Sequence, residues 1–65
     1  MQILLNGESR TFSGSTLADL IAELGLEQRT IAIELNLEVV PRSQHASQPL
    51  SEGDRVEIVH MIGGG

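Results

Sequence analysis

The sequence predicts an α+β domain in which a single helix crosses one face of a mixed sheet of four to five strands. Three observations carry that expectation. An Asn6-Gly7 pair separates two short apolar runs near the start, one stretch of helical periodicity follows at Leu17 to Leu24, and the remaining apolar runs are short and bounded by turn residues. The chain has 65 residues, and a chain of this size buries only about 60% of the surface that it exposes when unfolded. That is one small core.

Gln2-Ile3-Leu4-Leu5 and Arg10-Thr11-Phe12 read as strands with Asn6-Gly7-Glu8-Ser9 between them. Asn-Gly between apolar runs signals a β-hairpin because both residues tolerate positive φ. Thr16 is placed to cap a helix with Asp19 three residues on, Leu17, Leu20, Ile21 and Leu24 recur at helical spacing, and Gly25 is placed to end the helix in the left-handed region. Such a leucine stripe packs against a sheet. Ile31, Ile33 and Leu35 alternate with Ala32 and Glu34 as a strand, and Val39-Val40 form a short edge strand that Pro41 stops. Arg42 to Pro49 is polar and unpatterned, and reads as a surface loop with one irregular turn at most. Leu50 anchors a Ser51-Glu52-Gly53-Asp54 turn into the last strand, Arg55 to Met61. Residues 1–61 are therefore expected to form the domain and residues 62–65 a flexible tail. The order ββαβββ lets the first and last strands lie side by side in parallel beneath the helix, which is the β-grasp arrangement.

Composition narrows the function. A core plus a catalytic pocket of the usual ~300–1,000 Å³ does not fit in a domain this small, so a free-standing enzyme is not expected. Phe12 is the only aromatic residue, which removes stacking on bases or sugars. There is no cysteine, hence no disulfide, thiolate nucleophile or cysteine-based zinc site. Nine acidic residues against four arginines give a net charge of −5, the wrong sign for a phosphate backbone. Partners with basic surfaces are expected instead, and Glu52, Asp54 and Glu57 flank the last strand as candidates for steering them. No apolar run approaches the ~18 residues that cross a bilayer, and the chain reads as soluble and cytoplasmic.

The closing Ile62-Gly63-Gly64-Gly65 carries the chemistry. Val56, Ile58 and Val59 lead into the glycines without a linker, so an extended tail reaches roughly 10 Å over the three glycines and about 17 Å counted from Met61. That length enters another protein's active site. Glycine lets a backbone slide through a narrow channel and leaves no bulk beside a carboxyl group under attack. A free carboxylate is a poor electrophile and needs activation, usually as a mixed anhydride with AMP.

Thr16-Leu17-Ala18-Asp19-Leu20, Val39-Val40-Pro41-Arg42, Leu50 to Ile58 and the final Gly63-Gly64-Gly65 together resemble the ThiS family of sulfur carriers of thiamin thiazole biosynthesis, a ubiquitin-like β-grasp family, over essentially the whole chain. The resemblance implies a carrier that binds no cofactor of its own. A ubiquitin-activating-type adenylyltransferase (ThiF-like) would use MgATP to adenylate the Gly65 carboxylate, a cysteine desulfurase relay would supply the sulfur of a thiocarboxylate, and thiazole synthase (ThiG-like) would receive it. Gly65 is then the modified residue, with Ile62, Gly63 and Gly64 threading into the partner. Where the family carries Asn-Gly after the third strand this chain has Asn36-Leu37, and a leucine resists positive φ. The small subunit of molybdopterin synthase, a non-reactive β-grasp interaction module and a protein-tagging role remain open as alternatives.

Period-two alternation assigns sides to the sheet. With Met1, Ile3, Leu5, Ile31, Ile33, Leu35, Val56 and Ile58 toward the helix, Leu4, Ala32, Val59 and Met61 share the open face as a candidate partner-docking patch. His45 in the polar loop and His60 in the last strand lack metal-ligand spacing, so no metal site is expected. Glu34 and Glu38 can face each other across a turn but read as a solvated edge, and Arg42 reads as a structural residue of its loop.

Overall fold

Two-residue turns build both hairpins of the sheet. In the computed structural model, which describes residues 1–61, β1 (Gln2–Leu5) turns through Asn6 and Gly7, at φ 49° and 84°, into β2 (Glu8–Thr11). The second strand thus begins two residues earlier than the apolar pattern suggested. Leu5 pairs with Glu8 directly across the turn, a pairing that the local Asn-Gly geometry dictates over hydrophobicity.

Helix α1 (Leu17–Glu23) starts at Thr16, whose hydroxyl accepts from the Asp19 N–H at 3.2 Å while the Asp19 carboxylate accepts from the Thr16 N–H at 3.1 Å. Leu17, Leu20 and Ile21 are buried and Gly25 closes the helix at φ 71°. After β3 (Ile31–Leu35) and β4 (Glu38–Val40), a 3₁₀ turn (Arg42–Gln44) leads toward β5 (Arg55–His60). The strand order is β2-β1-β5-β3-β4, with β5 parallel to β1 and antiparallel to β3. The expected arrangement of first and last strands is therefore present, with five strands. Ile3, Phe12, Leu17, Leu20, Ile33 and Val56 are almost fully buried between sheet and helix. Met1, expected on this side, precedes β1 and is exposed, its amino group donating to the Phe12 carbonyl at 2.9 Å.

The segment after β4 is not a free surface loop. His45 is buried, its Nε2–H donating to the Val40 carbonyl at 3.1 Å. The His45 and Gln48 carbonyls accept from the Ala18 and Leu17 N–H groups at 3.1 and 3.0 Å. A helix leaves its first N–H groups without internal partners, and this segment supplies two of them.

Leu37 also departs from expectation. The turn between β3 and β4 consists of Asn36 and Leu37 at φ 50° and 72°, both left-handed. Asn36 explains it: its N–H donates to the Arg55 carbonyl at 2.8 Å, its Oδ1 accepts from the Arg55 N–H at 3.0 Å, and its Nδ2 donates to Asp54 at 3.1 Å. Asn36 is clamped and Leu37 must follow, at a local cost of about 1–2 kcal/mol. The first hairpin works the same way, since Asn6 Oδ1 accepts from the Ile58 N–H at 2.7 Å. Both turn asparagines thus brace the central strand.

Candidate functional site

The side of the sheet away from the helix is formed by alternate residues of all five strands. On β5 these are Arg55, Glu57 and Val59, with Met61 beyond. Ala32 stands directly opposite Val59, and Glu34 opposite Glu57. Val59 and Met61 are 57% and 55% exposed, and Ala32 is exposed beside them. The Met61 N–H donates to the Thr30 carbonyl at 2.9 Å, holding the chain against β3 one residue past the strand. Ala32, Val59 and Met61 therefore form one apolar patch at the end of β5.

Leu4 shares their face but not their patch. It pairs with Arg55, four residues before Val59, which places it about 13 Å away along the strand at ~3.3 Å per residue, with Glu57 between. Parallel register is set by the long crossover through the helix, and the alternation of apolar residues does not contain it. Val39, which the sequence reading left out, belongs to this face: it pairs with Glu34 and is 71% exposed. The signal for it was the Asn36-Leu37 turn, since a two-residue turn places Val39 opposite Glu34. The same register puts Glu38 opposite Leu35, on the other side of the sheet from Glu34, so these two carboxylates do not face each other.

Two of the acidic residues around β5 have structural tasks. Glu52 accepts from the Gln2 N–H at 3.0 Å, and Asp54 accepts from the Ser51 N–H at 2.8 Å as well as from Asn36. Of the three, Glu57 stands on the open face. Asp19 is the carboxylate displaced from its ordinary titration: hydrogen bonds from the Ser15 backbone, then from the Thr16 backbone and the Ser15 hydroxyl, lower its pKa. It belongs to the helix start.

On the opposite side, Ile21, Leu26, Arg29, Ile31, Arg42 and His45 line an open cleft of about 230 Å³. Arg42 also supplies the carbonyl that accepts the His45 N–H at 3.1 Å. Among the described residues, no three His, Cys, Asp or Glu side chains are grouped to hold a metal, and no helix is long and apolar enough to cross a membrane. Ile62, Gly63, Gly64 and Gly65 lie outside the described residues.

The ThiS family model matches residues 3–65. A sulfur carrier protein ThiS of Thermus thermophilus is 38% identical, over 97% of this chain and 98% of its own. A crystal structure of the thiamine biosynthesis protein ThiS from Geobacter metallireducens superposes with a TM-score of 0.84 at 32% identity, each chain covered in full. A thiazole synthase of Paramagnetospirillum magneticum is 48% identical over all of this chain, which spans only 20% of that relative's length. Matching family model, full-length relatives and shared fold agree: the chain belongs to the ThiS family.

Proposed function

We propose that the chain is a sulfur carrier of thiamin biosynthesis, with Gly65 as the residue that bears the sulfur. The observation that supports this most is the family match running through residue 65, so that it includes the glycine end as well as the fold. The Gly65 carboxylate attacks the α-phosphorus of ATP on an adenylyltransferase, releasing pyrophosphate and leaving an acyl-adenylate. A sulfur nucleophile at the sulfide oxidation level then displaces AMP to give the thiocarboxylate. ATP and magnesium are bound by the partner enzyme, and this chain contributes the carboxylate, the nucleophile of the first step and, once adenylated, the electrophile of the second.

Delivery to a thiazole synthase is supported by relatives of that name that contain a segment like this chain. The exposed patch of Ala32, Val59 and Met61 at the end of β5 is the docking surface next to the point where residues 62–64 lead to Gly65, and Leu4 provides a separate outlying contact. Isotope exchange between pyrophosphate and ATP tests the activation step. The 65-residue chain should support exchange with the adenylyltransferase and MgATP, and a variant carrying one extra residue after Gly65 should not. Equal exchange by the extended variant would remove Gly65 from the chemistry.

A further inference from the structure

The cleft on the helix side of the sheet has a chemistry that sulfur carriage does not use. Its walls are Ile21 of α1, Leu26 and Arg29 of the segment before β3, Ile31 of β3, and Arg42 and His45 at the two ends of the 3₁₀ turn. Backbone bonds fix them in place. The Leu26 N–H donates to the Ile21 carbonyl and the Arg29 N–H to the Leu26 carbonyl, both at 3.0 Å, and the Ala18 N–H donates to the His45 carbonyl at 3.1 Å. The floor is apolar, and about 230 Å³ is the volume of roughly eight waters, which suits a small molecule.

The polar groups of this cleft lack partners. Of the four arginines, Arg10 is engaged by Glu23, whereas the Arg29 and Arg42 guanidinium groups make no hydrogen bond or ion pair among the described residues. Glu27 also lines the cleft, so two arginines against one glutamate leave it positive in a chain of net charge −5. His45 is only 8% exposed. Its Nε2 must carry the proton that the Val40 carbonyl accepts, which leaves Nδ1 as an acceptor in the neutral ring. Nδ1 has no partner among the described residues and is not sealed from water; the cleft that His45 lines is its opening.

We propose that this cleft binds a phosphate monoester of a small apolar group. Guanidinium forks match phosphate oxygens in two-point contacts, and the monoanion neutralises the surplus positive charge. It also brings what a sulfate or a carboxylate lacks at neutral pH, a P–O–H that donates to Nδ1. The dianion reaches the same state when the ring takes up the proton instead, so ligand and histidine share one proton. The apolar body of the ester lies on Ile21, Leu26 and Ile31, where it displaces water. Ile31 pairs with His60, which puts the ligand on the helix side at the end of the sheet where β5 stops. The patch of Ala32, Val59 and Met61 on the other side stays free.

The test titrates the full chain with phenyl phosphate and with phenyl sulfate, which match in size and differ in the O–H. Ionic strength is constant and the pH is about 6, where a phosphate monoester is half monoanion. Phenyl phosphate should move the NMR signals of the His45 ring nitrogens and of the Leu26 and Ile31 amides, with a Kd on the order of 1 mM. Phenyl sulfate should bind at least about threefold more weakly. Arg29→Gln and Arg42→Gln replace exposed residues and should each weaken phenyl phosphate about threefold to fivefold. Signals of the cleft that stay still, equal affinity for the two esters, or wild-type affinity in both arginine variants each overturn the proposal. The glycine end takes no part in the binding, so none of these outcomes bears on the carrier reading.

Discussion

The two faces of the sheet both carry aliphatic residues, and those residues serve opposite ends. Toward the helix, Ile3, Ile33, Val56 and Ile58 are buried with Phe12, Leu17 and Leu20. Away from it, Leu4, Val39, Val59 and Met61 remain between 39% and 71% exposed. Burial of one leucine or isoleucine contributes about 1.5–3 kcal/mol, so the first group supplies the stability of a domain that has no cysteine and hence no disulfide. The second group leaves that contribution unused in the free molecule, where an apolar surface becomes available to a partner.

The adjacent pair Ile58 and Val59 gives the sharpest contrast. Ile58→Asp places an unpaired carboxylate in the core and should unfold the domain, read as loss of the cooperative thermal transition. Val59→Asp should keep stability within about 0.5 kcal/mol of wild type and weaken association with the adenylyltransferase or the synthase by roughly tenfold to a thousandfold. A reversed outcome means that the face assignment is shifted by one residue.

The two hairpins extend the comparison. Removing the brace with Asn6→Ala leaves the Ile58 N–H without its partner and should cost about 1–2 kcal/mol in denaturant unfolding. The second turn residues should respond with opposite signs. Gly7→Leu copies the strained turn into the first hairpin and should cost about 1–2 kcal/mol, whereas Leu37→Gly should stabilise by about 1 kcal/mol.

The smallest effect belongs to the helix start. The folded-state pKa of Asp19 lies below its ordinary value, so its contribution is present above the unfolded pKa of about 4 and is lost as pH falls through the folded value. Asp19→Asn should accordingly flatten the decline in stability below about pH 4, as followed by urea unfolding across pH. An unchanged acid profile would contradict the assignment.

Much of this is legible in the chain because the relevant forces are local. Thr16 and Asp19 announce the helix start, Asn6-Gly7 the first turn, and alternation in Ile31 to Leu35 and Val56 to Val59 the two faces. What stays hidden depends on distant groups. His45 looks like a polar loop residue until its carbonyl meets Ala18 and its ring meets Val40. Leu37 is held against its own preference by the bonds of Asn36 to Arg55 and Asp54, and that turn in turn sets the face of Val39. The shared open face of Leu4, Ala32, Val59 and Met61 was legible, but the distance between Leu4 and Val59 was not, because it follows from parallel pairing.

The central claim is that Gly65 carries sulfur, and intact-mass spectrometry reads it directly. The 65-residue chain is incubated with the adenylyltransferase, MgATP, a cysteine desulfurase, cysteine and a dithiol that reduces the desulfurase persulfide to sulfide, with the Thermus thermophilus carrier as a parallel reaction. Replacement of one carboxylate oxygen by sulfur should add about 16 Da, located by fragmentation to Gly65. An unchanged mass in a reaction that converts the Thermus carrier, or a gain located on any other residue, would contradict the account.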